Sequence, residues 1–282
     1  MESLYNIWKS NTIIGNSRWS LSGNSVAGIR TSFYSPELKI QLDAGYQNFN
    51  KVNDIFITHS HADHVASLPL IILENISNKQ STKIYCPEET VELLNNMIDS
   101  FLMCNYNNNR IPKKYYQVIG LNSDYLIDLK LNSQDISVQS FNSDHTVPTL
   151  SYGFIQKSKK LKEEYIGKSS QEIVELKKSG VDITYIIEYK KLVFCGDTSI
   201  AIFENNPSIL NFDNIVIECT FFDESDLRLA VERKHMHWLQ LKPIIRNNPN
   251  INFYLIHISA KYTDKNKLLE EVNEDLSNVF LL

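Results

Sequence analysis

Asp54-Ile55-Phe56-Ile57-Thr58-His59-Ser60-His61-Ala62-Asp63-His64 is the stretch from which the rest of the chain can be read. Ile55, Phe56 and Ile57 read as a short buried strand. The strand ends in four side chains of metal-ligand type, His59, His61, Asp63 and His64, within six positions. His59 and His61 are two apart, so both imidazoles can point to one side of an extended or turning backbone. Asp63 and His64 begin the next turn. Three imidazoles and a carboxylate in one pocket suit a borderline-soft divalent metal such as zinc. The plain alternative is a chance His-rich surface turn. Against it, the apolar strand aims the cluster inward, and later strands supply further ligands.

A length of 282 residues is long for one domain and short for two. The expected organisation is a single domain over 1–282 with a small basic arm near 157–184. An apolar content of 43% and a charged content of 22% are those of ordinary globular chains. No apolar run approaches the roughly 20 residues of a membrane span. Met1-Glu2-Ser3-Leu4-Tyr5 lacks the basic start and apolar core of a secretory leader. A cytoplasmic location is therefore expected, and nothing here argues against the nucleus. A net charge of −5 excludes polyanion binding by bulk charge, so any nucleic-acid contact needs a local basic patch. Cys86, Cys104, Cys195 and Cys219 form no CxxC pair and read as reduced, mostly buried residues.

Residues 12–43 read as short strands with polar turns, closed by Asp43-Ala44-Gly45. Asp43 is either a turn former or an acceptor that steadies a ligand histidine. Helices are expected over 68–75, 87–103, 169–179, 223–231 with Asp223 as its capping carboxylate, from 235 to about 245, and near 264–273, with 105–110 a polar loop. Strands are expected at 82–86, 115–140, 150–156, 192–195, 215–217 and 253–256. Lys157, Lys159, Lys160 and Lys162 are either a solvated face or an arm that touches phosphates.

Four apolar strand ends deliver a metal-capable side chain: the His59 group, His145, Asp197 and His257. One metal needs three or four protein ligands, and seven are on offer. Two ions sharing a carboxylate account for the number, with His59, His61 and His145 on one, Asp63, His64 and His257 on the other, and Asp197 bridging. Two ions about 3.5–4 Å apart acidify a water and clamp the oxygens of an in-line displacement. The ligand set implies hydrolysis and leaves the bond open. Glu218 and His235 are spare, and a His held by a carboxylate can protonate a leaving alkoxide. A ribose 3′-oxygen needs that proton and a thiolate does not, so the pair favours a phosphodiester. The alternative for His235 is a helix cap. His237 is read as support or substrate contact.

His59-Ser60-His61-Ala62-Asp63-His64 resembles the HxHxDH signature of the metallo-β-lactamase superfamily, with Asp43 and Gly196-Asp197-Thr198 in matching places. Glu218-Cys219-Thr220-Phe221, His235 and His257-Ile258-Ser259-Ala260-Lys261-Tyr262 make the chain similar to the ribonuclease Z family. Residues 161–167 and 176–184 resemble the compact arm of its short plant branch. Ile217 and Lys261 stand where many members carry His and Arg. The resemblance implies an α/β fold, an αββα sandwich of two mixed sheets flanked by helices. It implies two Zn2+ per subunit (or Mn2+ or another divalent metal), a homodimer whose arm holds precursor tRNA, and release of the 3′ trailer to leave a tRNA 3′-hydroxyl. It makes Asp63, His235 and Glu218 the catalytic set; Thr198 is expected beside Asp43 in support of the ligands, and Lys159, Lys160 and Lys162 are the expected contacts to the RNA if the basic run is an arm rather than a solvated face. The competing expectations are another dinuclear hydrolase of this fold, a thioesterase like glyoxalase II or a cyclic phosphodiesterase, and a metal-free binding subunit. Only about 25 residues follow His257, too few for the helical extension of a glyoxalase.

Overall fold

A computed structural model of the chain describes residues 9–15, 18–47, 52–106 and 115–282. Strands β1 (Lys9–Ile13), β2 (Ser20–Val26), β3 (Arg30–Ser35) and β4 (Ile40–Leu42) form an antiparallel meander. Parallel strands β5 (Asp54–Phe56), β6 (Thr82–Pro87) and β7 (Tyr116–Leu121) extend it to seven. The second sheet repeats the scheme. Its meander is β8 (Leu126–Leu131), β9 (Gln134–Asn142), β10 (Leu150–Leu161) and β11 (Thr184–Phe194). Parallel strands β12 (Asn214–Glu218), β13 (Asn252–Ile256) and β14 (Val279–Leu281) complete it.

The apolar runs read as strands are buried on both faces, which is why they lack polar alternation. Along β5, Phe56 enters the core between the sheets, stacked on Tyr85 and edge-on to Tyr152 and Phe154. Its neighbours Ile55 and Ile57 face the opposite way, toward helices α2 (Leu68–Ser77) and α3 (Val91–Asn105). In the second sheet Val216, Tyr254 and Phe194 point into the same core. Ile217, Leu255 and Val193 point outward to helices α7 (Trp238–Asn247) and α8 (Lys265–Asn273). Two sheets thus share one core, and each covers its outer face with helices, which is the expected four-layer sandwich. Between the sheet helices lie α1 (Ala62–Val65), α4 (Ser170–Lys178), α5 (Ala201–Asn205) and α6 (Leu227–Arg233).

Several boundaries differ from expectation. Pro87 closes β6, and a 3₁₀ turn over Glu88–Thr90 precedes α3, so the helix starts four residues late. Asp223 caps nothing, because its carboxylate is taken by Lys261 Nζ at 2.7 Å and α6 begins only at Leu227. The helix expected from 235 begins at Trp238. Of the polar loop at 105–110, residues 107–110 lie outside the described residues.

Distal to the sheet, β10 and β11 are joined through a 3₁₀ turn (Glu163–Tyr165) and α4. Helix α4 opens on a reciprocal capping box between Ser169 and Glu172 and buries no residue.

Candidate metal centre and its surroundings

The functional side chains collect where the parallel strands end, the edge at which open α/β sheets carry their ligands. Strand β4 delivers Asp43, β5 delivers the segment from Thr58 to His64, β11 delivers Asp197, β12 delivers Glu218 and Thr220, and β13 delivers His257. His145 comes from the turn between β9 and β10. His59, His61, His145 and Asp197 bring one ligand atom each within 4.8 Å of one another, and so do Asp63, His64 and His257. These are the two groups expected from spacing. Asp197 lies between them, with Oδ2 at 3.8 Å from His59 Nε2, 3.9 Å from His145 Nε2 and 3.3 Å from His257 Nε2. Its Oδ1 is 3.5 Å from His64 Nε2. One carboxylate thus faces both groups, as a bridging ligand must.

A cation fits this donor set. Among the described residues, the buried polar side-chain atom left without a partner is His64 Nε2. It faces Asp197, and Asp63 Oδ2 at 3.6 Å. In the first group, His61 Nδ1 is 3.1 Å from His59 Nε2 and 3.3 Å from His145 Nε2. Nitrogens converging this closely are donors looking for one central acceptor of electron density. Without a cation, protons carry that burden. Burial works against charge on His64, but Asp197, Asp43 and Asp63 outweigh it and push its imidazolium up to about 9. Burial and the neighbouring imidazoles hold His59 well below its ordinary value. Asp63 is half-desolvated, yet His257 and His64 hold it well below the usual carboxylate range.

The ligand rings are oriented by a framework behind them. Asp43, fully buried, accepts from Thr58 N at 2.8 Å, from the Thr58 hydroxyl at 3.0 Å, and from His64 Nδ1 at 2.8 Å. The acceptor reading of Asp43 is therefore the one the geometry favours. Its turn role holds as well, since Asp43 has φ +56°. His145 donates from Nδ1 to the Lys234 carbonyl at 3.2 Å. Asp63 Oδ2 accepts from the Gly28 amide at 3.0 Å, at the tip of the β2–β3 hairpin, where φ +67° suits glycine.

His235 Nδ1 lies 2.8 Å from Glu218 Oε1. Glu218 is fully buried and also accepts from Thr198 N at 2.8 Å and from the Thr220 hydroxyl at 2.6 Å. Burial opposes charge on His235, but Glu218 and Asp197 override it and push the imidazolium up to about 9. His235 is thus held protonated by its carboxylate partner, and it caps no helix. It also lies within ligand range of Asp197 and His257. The cap is His237, whose Nδ1 accepts from Leu239 N at 3.1 Å while Nε2 meets the Asp223 carbonyl at 2.9 Å. Both ring nitrogens are used, so His237 supports the fold. Thr198 touches no ligand directly; besides Glu218 it braces the Asp144 amide at 3.1 Å, next to His145.

Lys159, Lys160 and Lys162 do not converge. Lys162 is paired with Asp182 at 3.4 Å, and Lys157 with Asp128 at 2.7 Å. Lys159 and Lys160 are exposed and adjacent on β10, so they project to opposite faces. The site residues that sequence reading left without a role are Thr58, Thr220, the Gly28 amide and the Lys234 carbonyl. Thr58 and Thr220 stand directly beside ligand motifs, which is a usable signal. Backbone atoms leave none.

Residues 36–178 match the model of the family described as Anti-Pycsar protein Apyc1. Over 261 residues the chain is 30% identical to tRNase Z TRZ1 of Arabidopsis thaliana, covering 88% of each. Among solved structures it is similar to the metallo-β-lactamase-fold protein YhfI of Bacillus subtilis, with 15% identity, a TM-score of 0.57, and 91% and 92% of the two chains covered. The short form of human tRNase Z gives 15% identity and a TM-score of 0.52, covering 98% and 94%. The two structural likenesses concern the fold.

Proposed function

Because this chain belongs to the ribonuclease Z (tRNase Z) family, and through residues 36–178 also to the Anti-Pycsar protein Apyc1 family, we propose that it is a metal-dependent endoribonuclease. It would hydrolyse one phosphodiester of precursor tRNA, release the 3′ trailer and leave a 3′-hydroxyl on the tRNA. The observation that carries this reading is the Glu218–His235 pair set at 2.8 Å beside the ligand cluster. Residues 36–178 stop short of Asp197, Glu218, His235 and His257, so that match does not separate phosphodiester substrates from others.

His59, His61 and His145 would hold one divalent ion, Asp63, His64 and His257 a second, and Asp197 would serve both. Zinc suits the nitrogen-rich set, and manganese is the next fit. Such ions would supply charge neutralisation at the phosphate and a water acidic enough to attack near neutral pH. The remaining work falls to the chain. Asp63, kept ionised by His257 and His64, can accept a proton from the attacking water. His235, kept protonated by Glu218, can donate to the departing ribose 3′-oxygen. Gly28 N–H holds one oxygen of Asp63 in place. The segment 157–184, with Lys159 and Lys160 unpaired among the described residues, is the part we assign to tRNA binding. A homodimer and a cytoplasmic location complete the proposal. Among the described residues no helix is long and apolar enough to cross a membrane.

The test is purified protein with a 3′-extended precursor tRNA, beside a thioester and a cyclic nucleotide, with metal content measured on the same sample. Cleavage that leaves a 3′-hydroxyl, and is abolished in Asp63→Ala, is the expected result. Turnover of the thioester or the cyclic nucleotide with RNA left intact would replace this reading with another hydrolase of the fold.

A further inference from the structure

The hydroxyl of Thr220 is buried and stands among more partners than it can serve. Its Oγ is 2.6 Å from Glu218 Oε2, 3.0 Å from His257 Nδ1, 3.1 Å from the His257 carbonyl and 3.5 Å from His235 Nδ1. A threonine hydroxyl has one hydrogen to give. The shortest contact, to a carboxylate, takes it, because charge-assisted bonds are the strong ones. What Thr220 presents to His257 is then a lone pair. His257 Nδ1 must carry a hydrogen, and Nε2 is then the nitrogen that faces the ligand carboxylates, 3.3 Å from both Asp63 Oδ2 and Asp197 Oδ2.

The other sheet repeats the device. Thr58 Oγ lies 3.0 Å from both oxygens of Asp43 and 3.1 Å from His59 Nδ1. The carboxylate in each case also takes the Nδ1 of a second histidine, His64 for Asp43 and His235 for Glu218. Each sheet end therefore carries a buried carboxylate, a threonine that donates to it, and two histidines oriented by the pair. In the first sheet both histidines belong to the ligand set. In the second, one is the ligand His257 and the other is the donor His235.

We propose that Thr220 is a positioning residue that sets the tautomer of His257 and, through the same hydroxyl, fixes the carboxylate facing His235. One hydrogen then ties the metal-holding side of the site to its proton-donating side. This rests on the metal-dependent reading above, and it adds a residue that acts only through others.

The experiment uses the full chain with Thr220→Val, which keeps the shape and removes the hydroxyl, and Thr220→Ser, which restores it. Long-range proton–nitrogen correlation spectra of histidine-labelled, metal-free protein report the tautomer, with His257 assigned by His257→Gln. Native protein and Thr220→Ser should show Nδ1–H at His257, and Thr220→Val should lose that preference. Competition against a chelator should show zinc held about 10- to 100-fold more weakly by Thr220→Val, the range typical of lost partners behind a ligand. Its kcat on precursor tRNA should fall in the same range with KM unchanged. A native chain in which His257 Nδ1 carries no hydrogen overturns the proposal, and that spectrum needs no variant to fold. So does Thr220→Val with native zinc affinity, or Thr220→Ser as impaired as Thr220→Val. If the native chain takes up no metal or leaves RNA intact, the functional reading fails by itself, and the metal-free spectra still decide Thr220.

Discussion

Glu218→Gln is the most informative single change in this site, because it keeps the shape of a fully buried side chain and removes its charge. Burial alone would lower the His235 imidazolium, and Glu218 is the foremost group that raises it instead, to about 9 against an ordinary 6.5. That gap corresponds to about 3.4 kcal/mol of support for the charged ring. With the carboxylate gone, Asp197 and Asp63 alone oppose burial, and His235 falls back toward its ordinary 6.5. Near pH 8 the native donor is about nine-tenths protonated and the variant donor about 3%. Single-turnover cleavage should therefore drop about 30-fold near pH 8 and less than about 2-fold near pH 6, moving the alkaline limb of the profile toward acid. Metal content, measured alongside, should not change. A rate lowered equally at all pH values would refute the donor role of His235. A profile identical to the native one would refute the pairing itself.

Three further outcomes are expected. In metal-free protein the His235–Glu218 pair adds stability that is fully present below about pH 6.5 and lost as the pH rises through about 9, since the folded value is the raised one. The gap in melting temperature between the native chain and Glu218→Gln should close over that window. His237→Ala removes the α7 cap and should cost about 1–2 kcal/mol in denaturant unfolding, with zinc uptake unchanged; lost zinc would make His237 part of the site. Neutralising Lys159 should flatten the salt dependence of tRNA binding while neutralising Lys162, already paired with Asp182, leaves it unaltered. Equal effects would mean that the ion pair opens on binding.

The grouping of the candidate ligands was legible because of where they sit. Strands buried on both faces leave unbroken apolar runs, such as Ile55-Phe56-Ile57 and Ile215-Val216-Ile217, and a polar residue just past such a run must be there for a reason. His59, Glu218 and Thr220 stand just beyond those two runs. Residues whose role depends on a distant partner were not legible. Asp223 has the look of a cap until Lys261, 38 positions later, takes its carboxylate. His235 and His237 stand two apart in one segment. Only the packed sheet ends decide that the first turns to Glu218 and the second to the amide of Leu239. The basic run from Lys157 to Lys162 looked like one patch because linear spacing ignores the alternation of β10.

The split of the ligands between the two sheets has a mechanical consequence. His59, His61, Asp63 and His64 leave the first sheet, whereas His145, Asp197 and His257 leave the second. Cations held there would act as rivets across the seam, converting their binding energy into resistance to unfolding. Chelation should then speed amide exchange at the β5 and β13 termini well before it disturbs the outer helices. If the proposed ions sit there, a cell short of them would hold this chain with a looser seam, and losing the proposed catalysis and loosening the sheet ends would become a single event.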